Sequence, residues 1–368
     1  MPNSWQTVKL QDIAKINYGK DHKKLSDGNI PVYGTGGIMR YVDTPLYEKK
    51  SVLIPRKGSL GNLFFVNEPF WTVDTLFYTE IDESKVIPEF LYYKLMTYDL
   101  ASMNVGSAVP SLTTAILNPI EVELPPLDIQ QEIVKTLGIL DEKIENNQKI
   151  NHHLEQMAKN IFNEYFIDLT PFNGQVPSNW KVSNLAGIAN YLNGLAMQRH
   201  RPAEGEIGLP VMKIKELRQG FTDSSSDLCS PNIRSDFIIQ NGTVIFSWSG
   251  TLLVDFWTGG NCGLNQHLFK VTSEDYDKWF YYSWTKHHLD RFVQMAADKA
   301  TTMGHIKRDA LEQAEVLIPN YDDYKNIGSL LEPIYDQIIN NRLESGKLVS
   351  LRDSLLPKLI SGKITVTD

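Results

Sequence analysis

The stretch PNSWQTVKLQDIAKINYG (residues 2–19) recurs near the middle of the chain as PSNWKVSNLAGIANYLNG (residues 177–194). The two stretches align without a gap and share a proline, a tryptophan, a leucine, an isoleucine, an alanine and a glycine at equivalent positions. An internal repeat determines the architecture of a chain more strongly than local composition does. We therefore expect two copies of one domain, the second beginning at Pro177.

The repeat continues beyond these opening stretches. Successive segments of the first copy have partners in the second, at an offset that grows from 175 to 194 residues. The growing offset indicates that insertions lie in loops while the framework is retained. The paired segments are NIPVYG (29–34) with GLPVMK (208–213), SVLIPRKGSL (51–60) with TVIFSWSGTL (243–252), VDTLF (73–77) with NQHLF (265–269), FLYY (90–93) with WFYY (279–282), and PSLTTAILNPIEVELP (110–125) with GHIKRDALEQAEVLIP (304–319).

Each copy has the local pattern of an α+β globule. Short β-branched and aromatic runs such as SVLIPR, LFFV and TVIFSW are bounded by Gly, Pro and Asn, which predicts strands joined by turns. Aromatic residues at helical spacing predict one helix over 88–102 and another over 275–296. We predict globular domains over 1–118 and 177–313.

The segments that follow the globules, 119–176 and 314–368, have a different pattern. Between residues 129 and 166 the chain holds no proline and a single glycine, Gly138. Apolar residues recur at alternating spacings of four and three in both segments, which is typical of a coiled-coil seam. The predicted seam residues are Ile133, Leu137, Leu140, Ile144, Asn147 and Leu154 in the first segment, and Ile327, Leu331, Ile334, Ile338, Asn341 and Leu348 in the second.

Two long helices in one chain, each following a globule, are expected to pair antiparallel. Asn147 and Asn341 on the seam would reduce stability but fix the register of the pair. From Leu127 to Phe166 the first helix would span about 60 Å at 1.5 Å per residue. The predicted fold class is α+β, with two similar globular domains separated by an antiparallel coiled coil of two long helices, in a pseudo-twofold arrangement. The alternative is that each helix lies on its own globule.

Charge is distributed unevenly along the chain. The formal net charge is −8, but the two predicted globules hold equal numbers of basic and acidic residues, 12 of each in 1–118 and 14 of each in 177–313. The excess acid lies in the helical segments, with 4 basic and 10 acidic residues in 119–176 and 6 and 8 in 314–368. A balanced domain can still present a basic face, so the net charge does not exclude nucleic acid as a partner.

Targeting and redox patterns point to one cellular location. No run of 18 apolar residues predicts a membrane span, and the N-terminus lacks the pattern of a signal peptide. The two cysteines, Cys229 and Cys262, could pair, but only two cysteines in a chain of 368 residues favour free thiols in a cytoplasmic protein.

No motif predicts catalysis, a cofactor or a metal. YGTGGIM (33–39) lacks the GxGxxG and GKS/T patterns, so it predicts a turn and not a phosphate cradle. NPI (118–120) lacks the aromatic residue of the NPPY-type motif that an adenine methyltransferase needs. The adjacent pairs His152–His153 and His287–His288 do not face one metal from a helix. We therefore expect a non-enzymatic protein that needs no cofactor or metal.

A duplicated globule on a stiff rod suits a ligand that repeats at a fixed distance. Equivalent major-groove faces of B-DNA recur about every 34–36 Å, so a rod of the predicted length could set two readers roughly one to one-and-a-half turns apart. Because the two copies differ in detail, their targets should be two different half-sites. The layout favours double-stranded DNA as the ligand.

The layout resembles the specificity subunit of type I restriction–modification systems, in which two variable target-recognition domains alternate with two helical regions. The resemblance covers essentially the whole chain and is carried by four segments. These are PSNWKVSNLAGI (177–188), similar to the motif that opens a recognition domain, GSAVPSLTTAIL (106–117), similar to the loop that ends one, ELPPLDIQQEIVKTLGILDEKI (123–144), similar to the junction with the helix, and LPKLISGKI (356–364), similar to the end of the last helix.

The resemblance implies a non-catalytic subunit that recognises a bipartite, asymmetric DNA target. The helical rod would set the spacing and dock two modification (adenine methyltransferase) subunits, while separate restriction endonuclease and translocase subunits would cut. The second junction, LIPNYDDYKNI (317–327), departs from the family pattern because Asn320 replaces a proline and Lys325 a glutamine. The alternative from another class is a protein-only scaffold with two binding domains on a coiled coil. No residues favour a third possibility, a nuclease.

Candidate DNA contacts are polar loop residues at matching places in the two copies, because such side chains read base edges or grip phosphate. The alternative for any one of them is a solvated surface side chain. Trp5 and Trp180, by contrast, we interpret as core anchors. The candidates in the first domain are Arg40, Arg56, Lys57, Ser59, Asn62, Ser107, Ser111 and Thr113. Those in the second are Arg199, Arg201, Lys213, Lys215, Ser249, Thr251, Asn265, Gln266, His267, Lys299, Thr301, Thr302, His305 and Lys307.

Overall fold

A computed structural model describes residues 5–106, 109–298 and 308–366. Within these ranges the chain forms two compact units, one built from residues 5–142 and 348–366 and the other from residues 143–347. Both boundaries fall inside long helices, so each long helix contributes residues to both units.

The described strands of the first unit form small sheets. The strand order is β2-β8-β5-β6 in one sheet, β4-β3-β7 in another and β1-β9 in a ribbon. The strands are β1 (Gln6–Lys9), β2 (Ala14–Tyr18), β3 (Ile30–Gly34), β4 (Gly37–Val42), β5 (Ser51–Pro55), β6 (Phe64–Val66), β7 (Trp71–Thr72), β8 (Leu76–Ile81) and β9 (Glu121–Leu124). The helices that begin in this unit are α1 (Pro88–Met96), α2 (Thr114–Leu117) and α3 (Leu127–Phe162).

The second unit contains the second globule. Its strand orders are β11-β18-β15-β16, β13-β12-β17-β14 and β10-β19. The strands are β10 (Lys181–Asn184), β11 (Asn190–Asn193), β12 (Leu209–Met212), β13 (Leu228–Cys229), β14 (Ile238–Ile239), β15 (Val244–Ser247), β16 (Leu253–Phe256), β17 (Cys262–Leu264), β18 (Leu268–Thr272) and β19 (Glu315–Ile318). The helices that begin in it are α4 (Leu185–Ile188), α5 (Ile214–Gln219), α6 (Lys278–His287), α7 (Leu289–Asp298), α8 (Arg308–Glu312) and α9 (Tyr321–Ile360).

The two globules repeat one topology. The sheet β2-β8-β5-β6 corresponds to β11-β18-β15-β16, and the ribbon β1-β9 corresponds to β10-β19. In each globule a parallel pair, β3-β7 or β12-β17, lies in the second sheet. The cross-strand pair of Tyr18 with Phe77 recurs as Asn193 with Phe269. The sequence repeat is therefore a repeat of backbone structure.

Two predicted helices differ from the structure in their extent. The helix predicted over 88–102 ends at Met96, where Thr97 Oγ1 donates to Lys94 O at 2.7 Å and the chain turns. The helix predicted over 275–296 is two helices, α6 and α7, that meet at His288. The His288 imidazole Nε2 lies 2.8 Å from Glu315 O, a tertiary contact that the aromatic spacing does not reveal.

The core of the first unit joins the four-stranded sheet to the helices. Phe77 of β8, Leu91 of α1, Leu137 of α3 and Leu356 of α9 are buried in one cluster. Burying a Leu or Phe side chain contributes roughly 1.5–3 kcal/mol relative to leaving it exposed. Apolar burial therefore holds α1 and the adjoining parts of the long helices to the sheet.

The core of the second unit has the same plan with more aromatic residues. Phe246 of β15, Phe280 of α6 and Leu331 of α9 are fully buried in one cluster. A Cβ atom at Gly328 of α9 would lie 2.9 Å from Trp279 Nε1, so the glycine allows the helix to approach the indole.

The two long helices pair antiparallel within each unit. In the first unit, Ile133 of α3 shares a core with Ile360 of α9 near the opposite helix end. In the second unit, Asn151 Nδ2 donates to Ile338 O at 3.2 Å, and Asn341 Nδ2 donates to Asn151 Oδ1 at 2.8 Å. The predicted fold class is confirmed as α+β, with two similar globules and two long, antiparallel helices.

A layer of buried asparagines lies between the helices in the second unit. Asn147 Nδ2 donates to Glu344 Oε2 at 2.7 Å and contacts Ser345 Oγ at 3.3 Å. Asn341 is paired with Asn151, and all three asparagines are buried. Buried amides are destabilising unless they are paired, and a shift of the helices would break these bonds. The layer therefore fixes the register of the two helices.

The predicted seam residues have two kinds of surroundings. Ile133 and Leu137 pack in the first core together with residues of α1, and Ile327 and Leu331 pack in the second core together with residues of α6. The early part of each helix thus lies on its own globule, as the alternative interpretation has it. The half-buried members are Leu140, Leu154 and Leu348, and the buried members are Ile133, Leu137, Ile144, Asn147, Ile327, Leu331, Ile334, Ile338 and Asn341.

The two junctions that lead into the long helices use different side chains. At the first, Gln130 Oε1 accepts from Ile87 N–H at 2.8 Å, just before α1. At the second, Tyr324 Oη accepts from Asp277 N–H at 2.8 Å, just before α6. Asn320, which departs from the family pattern, caps α9 by accepting from the N–H three residues later. The side chain that accepts the hydrogen bond differs between the two junctions, but a bond to the residue just before the globule's helix is present at both.

The two repeated tryptophans differ in burial. Trp180 is 7% exposed, packs edge-on against Phe172, and donates its indole N–H to Asp323 Oδ2 at 2.8 Å. Trp5 is half-buried and lies beside Ile129 and other apolar residues of the first unit. Trp180 has the anchoring contacts expected of it, and Trp5 is held less completely.

Candidate nucleic-acid interface

Two polar loops of the first domain lie side by side. Gly58, in the turn after β5, has a φ of +86° and donates its N–H to Pro110 O at 3.0 Å. Lys57 and Ser111 form an isolated β-bridge between the same two loops. These backbone contacts bring together the candidate residues Arg56, Lys57 and Ser111, which lie far apart in the sequence.

A third loop of the first domain joins this cluster. Asn62 Nδ2 donates to Thr35 O at 3.1 Å, which links the glycine turn to the β3–β4 hairpin. The neighbouring cleft has a volume of about 620 Å³. Its polar lining residues are Asp21, His22, Lys23, Thr35, Asp74 and Thr75.

Arg56 is held in one orientation. Its guanidinium carbon lies 5.1 Å from the centre of the Tyr18 ring, and its Nη1 donates to Asp74 O at 3.0 Å. Among the residues that the structure describes, Arg56 forms no ion pair. A guanidinium has five N–H donors, so most of them remain available to a ligand.

The other candidate DNA contacts of the first domain differ in how exposed and how free of protein partners they are. Arg40 Nη2 donates to Asp27 Oδ1 at 2.7 Å and to Leu25 O at 3.1 Å, so its charge is already compensated. Ser59 and Thr113 are exposed. Arg56, Lys57 and the exposed hydroxyls are therefore better placed than Arg40 to bind a ligand.

His267 is the centre of the equivalent site in the second domain. Ser249 Oγ lies 3.2 Å from His267 Nδ1, and Gln266 Nε2 lies 3.3 Å from His267 Nε2. Ser249 is only 2% exposed and Asn265 is 7% exposed. The sequence interpretation of these two as surface contacts is not supported, because both side chains are buried. Thr251 is exposed.

The predicted basic residues of the second domain fall into two groups. Lys213 pairs with Asp227, and Lys215 Nζ lies 3.3 Å from Asp223 Oδ2, so both lysines are compensated. The hydrogen bond from Lys213 lowers the pKa of the Asp227 carboxyl. The remaining two, Arg199 and Arg201, are exposed.

One group of predicted contacts cannot be placed. Ser107, Lys299, Thr301, Thr302, His305 and Lys307 lie outside the residues that the structure describes.

The structure adds residues that sequence reasoning missed. Trp248 stacks on Phe269 with ring centres 5.6 Å apart and donates its indole N–H to Asn193 Oδ1 at 3.0 Å. Trp248, Phe269 and Asn193 line a cleft of about 440 Å³, and the exposed Arg308 lines it as well. The alignment of RKG (56–58) with WSG (248–250) places Trp248 opposite Arg56, but an indole is not among the side chains that typically read base edges.

The described part of the chain was also compared with the patterns of metal sites, reactive thiols and membrane spans. No cluster of three or more His, Cys, Asp or Glu side chains suited to a metal ion occurs there. Cys229 and Cys262 are free and buried, and burial raises the pKa of both thiols. None of the helices within the described ranges is long and apolar enough to cross a membrane.

Two copies of one α+β domain, each with polar loops around an equivalent glycine turn, and long paired helices define a modular recognition protein. A family model described as the type I restriction modification DNA specificity domain matches residues 2–156 and again residues 177–345. The chain therefore belongs to the family of type I restriction–modification specificity subunits, and the predicted resemblance is confirmed.

Relatives of known identity are similar over the whole chain. The type I restriction enzyme MjaIX specificity subunit of Methanocaldococcus jannaschii is 25% identical over 420 aligned residues, which cover 100% of this chain and 95% of that protein. The EcoKI specificity subunit of Escherichia coli K12 is 23% identical, with 98% and 80% covered. The crystal structure of the S subunit from M. genitalium matches with a TM-score of 0.64 at 15% identity, covering 98% of this chain and 97% of that one, and shows the same fold.

Proposed function

We propose that this specificity subunit selects an asymmetric, bipartite DNA sequence, with each globule reading one half. The observation that carries the proposal is that one backbone framework presents different side chains at equivalent loop positions. Arg56 lies over Tyr18 in the first domain, whereas Trp248 is bonded to Asn193 in the second. Two readers with the same geometry and different chemistry suit two different half-sites.

In this proposal the recognition domains comprise residues 1–118 and 177–313, and the helical regions comprise residues 119–176 and 314–368. Phosphate contacts supply most of the affinity for DNA, and base-edge contacts supply the specificity. The exposed candidates for phosphate contacts are Lys57, Arg199, Arg201 and Arg308.

The long helices are proposed to set the spacing of the readers and to dock two modification subunits. Large apolar side chains remain exposed along both helices, which is typical of protein interfaces. The restriction endonuclease and translocase subunits would join the same complex, and the chain itself would catalyse no step. Because such a complex acts on cellular DNA, we infer a cytoplasmic location. The exposed apolar residues are Ile139 (58%), Ile150 (46%) and Met157 (51%) on α3, and Leu330 (43%) and Leu351 (46%) on α9.

The direct test is DNA methylation by the modification subunits with and without this chain. We expect sequence-specific adenine methylation only when the chain is present, and duplex binding by the complex that weakens steeply as salt is raised. Equal methylation without the chain would overturn the proposal. Assembly with the modification subunits but no salt-dependent DNA binding would favour the protein-only scaffold.

The docking surface can be tested separately with Ile150→Glu. A carboxylate placed in a desolvated interface should reduce co-purification of the modification subunits at least tenfold. Lys149→Glu is the matched control, because the Lys149 side chain on the same turn is 64% exposed and forms an ion pair with Glu145 on the same helix. Equal co-purification of both variants would contradict the assignment of this surface.

A further inference from the structure

A basic loop follows the same strand in both domains. Strand β2 is followed by KDHKK (20–24), and β11 is followed a few residues later by QRHR (198–201). The first stretch holds three lysines and one aspartate, and the second holds two arginines and no acidic residue. With the histidines counted as neutral, each basic loop has a net charge of +2. The charge of the loop is therefore retained in the two copies although its sequence is not.

The start of each loop is fixed by one backbone arrangement. Gly19 N–H donates to Leu76 O at 3.1 Å, and the equivalent Gly194 N–H donates to Leu268 O at 3.0 Å. A Cβ atom at these glycines would lie 2.0 and 2.2 Å, respectively, from a carbonyl oxygen of the facing turn. Only glycine allows so close an approach of two backbones. The repeated glycine of the sequence therefore sets where each basic loop begins.

The facing turn also bonds to the glycine turn of the candidate interface. The facing turns are residues 72–76 in the first domain and 264–268 in the second. Arg56 N–H donates to Thr75 O at 2.8 Å, and Trp248 N–H donates to His267 O at 3.4 Å. Each facing turn thus links the start of a basic loop to the loops that carry the other candidate DNA contacts.

In the first domain the basic loop contributes to the cleft of about 620 Å³. Lys23 lines this cleft together with Asp74 and Thr75 of the facing turn. The backbone of the loop is anchored at its first residue, because Lys20 N–H donates to the facing turn at 2.8 Å and Lys20 O accepts from Trp71 Nε1 at 2.9 Å. The lysine side chains thus extend from an anchored backbone.

The basic side chains of both loops are available to an anionic ligand. All of them are exposed, and among the residues that the structure describes none of them forms an ion pair. They are Lys20, Lys23, Lys24, Arg199 and Arg201.

Three nearby carboxylates already have partners. Asp27 pairs with Arg40 and Asp227 with Lys213, and Asp21 Oδ1 accepts from a backbone N–H of its own loop at 3.0 Å. The exposed carboxylates that remain are Asp74 and Glu204. In each domain the free basic side chains therefore outnumber the free carboxylates beside them.

The comparison of the two loops indicates which part of DNA they suit. A lysine is a point charge on a flexible stem, and an arginine is a planar fork, so the two are not interchangeable at a base edge. Both neutralise phosphate, which is the same in every DNA sequence. A loop that retains its charge and exchanges lysine for arginine suits a ligand that both half-sites share.

We propose that the two basic loops are one repeated phosphate-binding element. Lys20, Lys23 and Lys24 bind backbone phosphates in the half-site of the first domain, and Arg199 and Arg201 bind them in that of the second. The inference rests on the proposed function, since it assumes that each globule reads one half of the target. It adds three lysines that are not among the contacts expected from the sequence, and it assigns them to affinity and not to base choice.

The test uses the full chain in complex with its modification subunits. A library of randomised duplexes measures base preference, and one duplex selected from it measures the salt dependence of binding. Replacing all three lysines by alanine should lower the slope of log K against log salt by about 2.7, at about 0.9 per phosphate contact. Between about 50 and 200 mM salt, the wild-type affinity should then fall about 40-fold more than that of the variant. The base preference should stay unchanged in both half-sites.

The second domain provides an independent variant. Arg199→Ala combined with Arg201→Ala should lower the salt slope by about 1.8 and leave the base preference unchanged.

Two further variants of the first domain are controls. Replacing Lys20, Lys23 and Lys24 by arginine keeps the charge, so the slope and the preference should stay those of the wild type. Lys15→Ala, Lys50→Ala and Lys85→Ala in one chain remove the same charge from exposed lysines, each already paired with a carboxylate. This control should also keep the wild-type slope.

The outcomes separate the inference from the proposed function. If the alanine variant assembles and keeps the wild-type slope, the three lysines do not bind phosphate and the inference is wrong. An equal loss of slope in the paired-lysine control would attribute the effect to net charge and also contradict the inference. A changed preference at one base pair would show that the loop reads a base. If the wild-type complex shows no base preference at any position, the proposed function itself fails.

Discussion

At the junction before the first long helix, Gln130 accepts the Ile87 N–H, whereas at the second junction Tyr324 accepts the Asp277 N–H. Gln130 is fully buried, and its Nε2 also donates to Pro125 O and Lys85 O. Tyr324 is half-buried and packs its ring against Trp279 at 4.9 Å. Gln130 therefore holds the first junction through three hydrogen bonds, whereas Tyr324 contributes one hydrogen bond and aromatic packing to the second.

A second pair of equivalent positions shows the same divergence. Asn147 and Asn341 are repeats of one another on the two long helices, and both are buried. Asn341 Oδ1 accepts from Gln337 Nε2 at 2.6 Å, four residues earlier on α9. Lys143 occupies the corresponding position on α3 and pairs with Glu344 at 3.2 Å instead. Within the described ranges Asn147 Oδ1 is left without a partner.

These comparisons show which features the duplication has retained. Backbone hydrogen bonds and buried apolar positions recur in both copies. Changing them would leave buried polar groups without hydrogen-bond partners or leave cavities in the core. The side chains that satisfy a given backbone group are free to change as long as the group remains satisfied. Loop side chains carry no such constraint, and under the proposed function that freedom would allow the two domains to prefer different half-sites.

The largest expected effect is the loss of the Gln130 network. Gln130→Ala leaves one backbone N–H and two carbonyl groups without their partner, which should lower the free energy of unfolding by about 3 kcal/mol. Tyr324→Phe removes a single hydrogen bond and should lower it by about 1 kcal/mol. Urea unfolding followed by circular dichroism measures both. Equal losses would mean that the two junctions do not differ as described.

The asparagine pair predicts a stabilising change. Lys143→Gln should supply the donor that Asn147 Oδ1 lacks and raise the free energy of unfolding by about 1 kcal/mol. The exchange in the other copy, Gln337→Lys, removes the donor to Asn341 and should lower it by a similar amount. A loss of stability in Lys143→Gln would show that the ion pair with Glu344 contributes more than the missing hydrogen bond.

The second unit should respond to mild acid through its paired histidines. Desolvation lowers the pKa of the buried His288 and of the exposed His287, where the neighbouring His288 adds to the effect, so the folded state favours neutral imidazoles where the unfolded chain binds protons. Stability from this pair is present above the unfolded value of about 6.5 and is lost as the pH falls below it. The measurement is urea unfolding at pH 7.5 and pH 5.5. His287→Gln with His288→Gln should flatten the pH dependence, and an unchanged slope would exclude the pair as its source.

The smallest expected effect concerns Arg40. Because Arg40 is already paired with Asp27 on the surface, Arg40→Ala should change the DNA affinity of the complex by less than about threefold. Lys57→Ala, at an exposed lysine of the same domain, should weaken binding more and reduce the salt slope by about one. A larger effect from Arg40 than from Lys57 would mean that the Asp27 pair opens to engage DNA.

Much of the fold could be predicted from the sequence because the same pattern occurs in it twice. The repeated Pro, Trp and Gly positions predicted two similar globules, and the spacing from Ile133 onward predicted a helix that the structure places at Leu127–Phe162. The break at His288 was not predictable, because it depends on the contact with Glu315 from a distant strand. Periodicity reports which face of a helix is buried and does not report tertiary hydrogen bonds.

The candidate interface was harder to predict from the sequence than the fold. The alignment of the glycine turns pointed to Arg56 and Lys57, which the structure brings close to Ser111, and their role as DNA contacts stays a prediction. Residue type alone did not show that Ser249 is buried or that Lys213 is paired with Asp227. Trp248 was not predicted because the candidates were polar side chains, although Trp248 aligns with Arg56 in the two glycine turns.

Each globule is proposed to read one half of the target, and exchanging one globule tests this most directly. Residues 1–118 would be replaced by the first recognition domain of another specificity subunit, and methylated adenines would be mapped across a genome in cells that also express the modification subunits. We predict an asymmetric bipartite target in which one half changes and the other half is retained. A change in both halves, or in neither, would contradict the account.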